Sequence, residues 1–384
     1  MRIVLVGSAW PLRGGIAHYT ALLYRGLESR GHTVNVLSFR RQYPSFLFPG
    51  KTQKDEGKEM IRVPSRPILD SINPLTWIQA IFWMKSLRPD AVVFKYWMPF
   101  FAPCYAVLAF GVRRFLKIPA VFLCDNIVPH EPTRLDARLT RLAVASPDAF
   151  IVQSASVRRD LLRFRPGAVY RETPHPVYDI FSPPRPKSEA RTRLGLEESR
   201  IILFFGYIRA YKGLRTLIEA MPEILRDSRI HLVVCGEFYE GRQETVDLIH
   251  HLGLQHKISL FDEFIPNEKV ADFFCAADAV VLPYVSATQS GIVQIAYYYD
   301  RPVIATAVGG LPEVVLDGKT GYLVPPQDPA SLAKAVLRFY SGPTDRFLSA
   351  IRKEKLKYSW DRMAETVEAL ASLKKKSTIE DRGR

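Results

Sequence analysis

Arg209 and Lys212 lie in the segment FFGYIRAYKGL, bracketed by Gly206 and Gly213. A guanidinium is a fixed fork and an ammonium a compact point charge. Together they can neutralise a diphosphate and stabilise it as it departs. Cations are also common on surfaces, so the pair alone equally fits a solvated loop. Ser290 and Gly291, in SATQSGIVQIAYYYDRPVIAT, open an uncharged helical stretch whose free amides and positive dipole end suit phosphate. The plain alternative there is an N-cap ahead of a buried helix. In GSAWPLRGGIAHY, Gly14 and Gly15 let backbone approach an anion where a strand gives way to a helix, although a simple strand–helix turn has the same composition. In FLCDNIVPHEP, Asp125, Asn126, His130 and Glu131 concentrate polar groups able to bind an acceptor hydroxyl or a sugar. His130 taken alone fits a structural histidine as well as a functional one.

These segments share one position: each follows a short apolar run. RIVLVGS, TVNVLSF, AVVFKYW, PAVFLCD and AFIVQS in the first half, and IILFFGY, IHLVVCGE, KISLFDEF, AVVLPY and PVIAT in the second, alternate with amphipathic stretches. That pattern marks parallel sheets covered by helices on both faces, and such sheets bind ligands beyond the carboxyl ends of their strands. The first strand–helix turn lacks the G-x-G-x-x-G spacing, and TVNVLSF ends without an acid to hold a ribose, which argues against a nicotinamide site. Prolines cluster over PHPVYDIFSPPRP, Pro174 to Pro186, and predict an interdomain linker. The expected organisation is an N-terminal Rossmann-like domain over 1–178, a second over 179–357, and a terminal helix over 358–384 that packs back on the first domain and ends in a basic tail.

The chain has 384 residues and a net charge of +14, unevenly spread. Through residue 180 there are 25 Lys and Arg against 13 Asp and Glu; the remainder has 28 against 26. A basic half beside a neutral one points to an anionic partner: nucleic acid, acidic lipid surface or phosphorylated substrate. Its arginines are scattered and no recognition motif accompanies them, so no nucleic acid is expected and an anionic membrane surface is the better fit. Four dispersed cysteines form no Cys-x-x-Cys or Cys/His cluster, which argues against zinc or a disulfide framework and fits a reducing cytoplasm. MRIVLVGSAW lacks the features of a signal peptide. The longest uncharged stretch, Tyr96 to Val112, contains Pro99 and Pro103 and falls short of the ~20 residues of a spanning helix. Together with PLTWIQAIFWM it is rich in aromatics, so peripheral contact with the inner face of a membrane is an expectation beside the simpler one of core helices.

Taken together the segments resemble the retaining glycosyltransferases of group 1, family 4, which have the GT-B fold. FFGYIRAYKGLRTLIEA is similar to that family's donor-phosphate motif, and PVIATAVGGLPEVVLDGKTGYLVPPQD to its C-terminal signature. The Gly-Gly loop and FIVQSASV match more loosely. The resemblance implies two Rossmann-like doubly wound domains facing across a cleft, with C-terminal helices. It also implies a nucleotide-diphosphate sugar as co-substrate, no further cofactor and no metal, consistent with the absence of an Asp-x-Asp pair. Arg209 and Lys212 would bind the diphosphate, Ser290, Gly291 and Ile292 would cradle phosphate through their amides, and Gly14 and Gly15 would approach the donor from the opposite domain. The acceptor would be a glycan or a lipid-linked or envelope precursor, as in polysaccharide or glycolipid biosynthesis.

Two departures stand out. Aligned on Pro302, Ala287 and Ile295 occupy the places of the family's paired glutamates, the second of which usually holds the nucleotide ribose; Gln289 or Gln294 could substitute by hydrogen bonding. Asp125 and Asn126 stand where many members carry a histidine, and His130 becomes the candidate near the reacting sugar. The missing carboxylates keep open a non-catalytic nucleotide- or glycan-binding homologue. They weaken an epimerase, which depends on several acids in its cleft.

Overall fold

The computed structural model describes residues 1–44, 53–54, 61–129, 135–196 and 200–373. The described chain forms two compact units: one holds the residues up to Pro176 together with those from Ser359 on, the other Val177–Tyr358. The change of unit falls inside the proline-rich segment.

Among the described residues the first unit has a seven-stranded, all-parallel sheet in the order β3-β2-β1-β4-β5-β6-β7. The strands are β1 (Arg2–Val6), β2 (Thr33–Arg41), β3 (Ser65–Asp70), β4 (Ala91–Tyr96), β5 (Ala120–Cys124), β6 (Ala149–Val152) and β7 (Tyr170–Glu172). They are joined or flanked by α1 (Gly15–Ser29), α2 (Pro74–Ser86), α3 (Ala102–Gly111), α4 (Asp136–Ala145) and α5 (Ala155–Phe164). β4, β5 and β6 are buried along their whole length, as strands covered on both faces must be.

The second unit has six parallel strands, ordered β10-β9-β8-β11-β12-β13. They are β8 (Arg200–Phe205), β9 (Ile230–Cys235), β10 (Ile258–Phe261), β11 (Ala279–Leu282), β12 (Val303–Thr306) and β13 (Gly321–Val324). Its helices are α6 (Lys187–Leu194), α7 (Leu214–Ile224), α8 (Arg242–His251), α9 (Asn267–Ala276), α10 (Gly291–Tyr298), α11 (Leu311–Val314), α12 (Pro329–Tyr340) and α13 (Leu348–Lys355). In each sheet the direction of winding reverses once, between β1 and β4 and between β8 and β11. Loops leaving such a pair diverge to opposite faces and open a crevice.

The final helix, α14 (Trp360–Ala371), belongs to the first unit and packs on α1 and on β4, β5 and β6. Gly26 permits the approach, since a Cβ there would lie 3.3 Å from that of Trp360. The Trp360 ring meets Tyr19 edge-on at 4.9 Å. Arg30 Nε donates to Glu368 at 2.7 Å, His32 Nε2 lies 2.7 Å from the same carboxylate, and the charge-assisted contacts pull Glu368 down to about 2.

The fold is that of two Rossmann-like α/β units with C-terminal helices. Three strands escaped the sequence reading. β3 carries Pro67 and is largely exposed, β7 is three polar or half-exposed residues, and β13 is four residues directly after a glycine turn. None offers the apolar run that marks a central parallel strand.

Met363 of α14 is fully buried. Met363→Ala should destabilise the first unit by about 2–5 kcal/mol. Hydrogen exchange should then quicken in β4–β6 and stay unchanged in β8–β12; equal loss in both sheets would contradict the separate cores.

Candidate functional site

In the second unit the loops after β8 and β11 flank the winding reversal, and they bring Arg209, Lys212, Ser290, Gly291 and Ile292 to the carboxyl edge of one sheet. Gly206 follows β8 at φ 103°, a left-handed value that favours glycine. A Cβ there would lie 3.1 Å from Lys212 Nζ and 3.3 Å from Ile292 Cδ1. The glycine, the ammonium and the first turn of α10 therefore converge on one spot. Gly213, at φ 68°, closes the turn after Lys212, and its missing side chain lets backbone lie against the Pro283 carbonyl. Val285 N donates to Tyr211 O at 2.7 Å and ties the two loops together.

Lys212 is buried, 9% exposed, contrary to the surface cation its sequence suggests. No ion pair or hydrogen bond reaches its ammonium among the described residues; the centre of the Tyr284 ring lies 5.9 Å from Nζ. Burial and the neighbouring Arg209 charge lower its pKa to about 8. Arg209 is half-buried, its guanidinium 5.0 Å from the Tyr239 ring centre. Ser290 caps α10, its Oγ accepting from Ile292 N at 3.3 Å. Tyr178 packs against Gly291, where a Cβ would lie 3.1 Å from its ring. Gln289 and Gln294 flank the cap. Gln294 is 1% exposed, and the Oε1 of each is buried without a partner among the described residues. Ala287 and Ile295 are buried, and Gly309 at φ 54° lets the signature loop press on the Ala287 carbonyl.

In the first unit Gly14 is the N-cap of α1, at φ 100°, with Gly15 its first residue. Across the winding reversal, Lys95 projects from β4 and is buried against Asp125, which follows β5. Burial pushes both toward neutrality, Lys95 down and Asp125 up, each opposed by the other's charge. Lys95 Nζ also sits 3.4 Å from the Tyr19 ring centre, and Tyr19 meets His175 edge-on at 5.0 Å. Burial and Lys95 hold His175 down to about 3. Asn126 Nδ2 donates to Trp97 O at 3.3 Å. Asp125 is thus engaged internally rather than offered to a ligand. The sequence reading passed over Lys95, whose signal was available: a lone cation inside the apolar run AVVFKYW. His130 lies outside the described residues. Among the described residues no three His, Cys, Asp or Glu gather to hold a metal.

Two doubly wound parallel units in one chain define the class of tandem Rossmann-like α/β proteins. Residues 14–176 match the glycosyl transferase 4-like domain, and residues 199–342 match the glycosyl transferases group 1. The chain belongs to the group 1, family 4 glycosyltransferases of the GT-B fold. It is 26% identical to an uncharacterized glycosyltransferase of Methanocaldococcus jannaschii, over 96% of this chain and 97% of that one. It is 28% identical to the D-inositol 3-phosphate glycosyltransferase of Xylanimonas cellulosilytica, over 91% and 89%. Its fold superposes on Anabaena HepE in complex with UDP with a TM-score of 0.73 at 18% identity, covering 97% and 100%. For the sucrose-phosphate synthase of Thermosynechococcus elongatus the TM-score is 0.71 at 19% identity, covering 96% and 98%.

A buried charge without a counter-ion destabilises the fold that holds it. Between about 8 and the ordinary 10.5 of lysine, the unfolded chain keeps a proton that folded Lys212 releases, so its contribution to stability rises with pH across that window. Lys212→Met should raise the melting temperature of the ligand-free protein at pH 7 and flatten that dependence. A lower melting temperature at every pH would show that the ammonium has a partner.

Proposed function

We propose that this protein transfers a hexose-type sugar from a nucleotide-diphosphate donor to a hydroxyl of a glycan, lipid-linked or envelope acceptor, with retention of configuration and without a metal. The observation that carries the proposal is the buried ammonium of Lys212, held beside Gly206 and the N-terminus of α10 with no carboxylate partner among the described residues. A diphosphate is the counter-ion such a position lacks. The complexes of HepE with UDP and with UDP-glucose support a nucleotide-sugar donor for this scaffold.

In this reading Lys212 and Arg209 hold the diphosphate, and the amide of Gly291, at the start of α10 beside the Ser290 cap, takes a further phosphate oxygen; the amide of Ile292 joins it on leaving the Ser290 hydroxyl. Gln289 and Gln294 offer their unpartnered carbonyls to the ribose hydroxyls, in place of the carboxylate this family commonly uses. When the bond between the anomeric carbon and the phosphate oxygen breaks, its electron pair stays on the phosphate. The acceptor oxygen closes on the carbon from the face the phosphate leaves and gives its proton to the departing phosphate oxygen. The charge that grows lies on the leaving group, where the two cations already stand. The acceptor is met at the inner face of a membrane, by way of the basic first unit.

A second reading, a non-catalytic nucleotide- or glycan-binding homologue, is favoured by Ala287 and Ile295 in place of the usual glutamates. Sugar transfer or donor hydrolysis by the purified protein eliminates it.

Arg209→Ala and Lys212→Ala should each lower turnover by about 100- to 1,000-fold, the loss expected when one charge-stabilising group is removed. The base is read from thermal shifts with UDP-, GDP- and ADP-sugars, since a ligand at about 100 times its Kd adds ~2.7 kcal/mol of stability. Full turnover in both variants removes this mechanism.

A further inference from the structure

α2 is apolar on two faces. Asn73 caps it, its Oδ1 accepting from Leu75 N at 3.1 Å, and Pro74 opens its first turn. Trp77, Ala80 and Met84, at helical spacing, form the inward face, and Trp77 Nε1 donates to Asp70 O at 2.7 Å. The outward face carries Leu75, Ile78 and Phe82 at the same spacing, and they face solvent: Leu75 is 74% and Phe82 67% exposed. A helix of a soluble core turns mainly polar residues outward; this one sets three large apolar side chains there beside Gln79 and Lys85.

The apolar surface continues onto α3. Gly111 lets Ile81 of α2 seat against the α3 backbone, which closes the seam between the helices. Beside the seam, Phe110 is 61% exposed, and its ring meets the equally open Phe115 edge-on at 6.3 Å. Leu135 and Leu142 extend the exposed apolar surface on α4, which packs on α3. Together these residues exceed the scattered apolar side chains an ordinary surface shows.

Cations border this face with few acids to answer them. Between Asp70 and Asp125 the chain has one acid, Asp90, and it accepts from Arg2 N. Arg113 is taken by Asp148, but Lys85, Arg88, Arg114 and Lys117 have no ion-pair partner among the described residues. All four stand at or just past the ends of α2 and of the helical stretch that continues α3. An apolar stripe with open phenylalanines and a border of unpaired cations matches an anionic bilayer: acyl boundary for the rings, headgroup phosphate for the cations. A protein partner would have to supply a complementary groove, whereas a bilayer accepts a broad convex face.

We propose that the exposed face of α2 and α3, with Leu75, Ile78, Phe82, Phe110, Arg114 and Lys117, docks the protein on an anionic phospholipid surface. This names the surface behind the membrane-borne acceptor of the preceding section and rests on that part of the reading, not on the donor site. α2 begins at the carboxyl edge of the sheet, which also carries Gly14 and Asp125, whereas Arg114 and Lys117 lie toward the amino edge just ahead of β5, so the bilayer runs along the helical flank of the first unit.

The test is cosedimentation of the full chain with vesicles of equal parts phosphatidylglycerol and phosphatidylcholine, and with phosphatidylcholine alone, at low and high salt. Binding is expected to the mixed vesicles and to weaken with salt. The triple variant Leu75→Gln, Phe82→Gln, Phe110→Gln should lose it at both salts. Arg114→Gln with Lys117→Gln should weaken it about thirtyfold at low salt, at about fivefold per charge. Both variants should keep the wild-type thermal shift with nucleotide sugars, which excludes misfolding. No binding by the wild type at low salt, or unchanged binding by both variants, overturns the proposal. If the triple variant instead turns a dimer into a monomer with vesicle binding intact, the face is a contact between copies. A wild type that binds vesicles but shows no nucleotide shift sinks the donor reading and leaves this surface standing.

Discussion

The buried ammonium of Lys212, without a counter-ion among the described residues, is the constraint around which the second unit is arranged. Lys212 reaches its position because Gly206 has no side chain to displace it, and because Gly213 lets the following turn lie on the strand β11 exit. Both glycines have positive φ, so the backbone path and the missing side chains are one requirement. Lys95 in the first unit shows the alternative. It too is a buried lysine, but Asp125 and the face of Tyr19 answer its charge. The same side chain is therefore internally paired in one sheet and, among the described residues, left without an ion pair in the other.

That distinction was not legible in the sequence. The runs that became β1, β4, β5, β8, β9 and β11 could be read because strands covered on both faces are continuously apolar. Gly206 and Gly213 beside Arg209 and Lys212 could be read as a phosphate loop from residue type and spacing. The burial of Lys212 could not, because it arises where the loops after β8 and β11 meet, with Ile292, eighty positions away, lying beside the same Gly206 as the ammonium. The engagement of Asp125 was equally hidden: its partner lies thirty residues upstream, in a strand read only as apolar. Sequence spacing reports which groups a loop can present; only the packing of distant loops decides which of them are already taken.

The third loop shows how one backbone frame accommodates different side chains. Its path is set by contacts that involve no carboxylate: Gly309 against the Ala287 carbonyl, Thr306 Oγ1 donating to Tyr284 O at 2.6 Å, and Ser290 capping α10. Loss of the paired glutamates leaves that frame intact. It changes what the frame presents, from carboxylates to the amide carbonyls of Gln289 and Gln294. A neutral acceptor holds a hydroxyl with a weaker bond than a charged one, but it spares Lys212 an anionic competitor. On the proposed function, the diphosphate is then the first strong negative charge to enter.

The charge pairs of the two units extend the same reasoning to the surface. In the second unit, Asp227, Asp262, Asp272, Asp278 and Asp300 each hold at least one Arg or Lys, so its near-neutral charge is largely satisfied within the fold. Lys212 stands outside those pairs. In the first unit, Lys85, Arg88, Arg114 and Lys117 stand outside them as well, next to apolar side chains that water does not favour. A cation left without an internal partner marks a place where the anion comes from elsewhere. Burial then decides what kind of anion. A sequestered ammonium acts at short range on one ligand, little screened by salt. Charges in open water are screened beyond ~8 Å at physiological ionic strength and act only collectively, on an extended anionic surface.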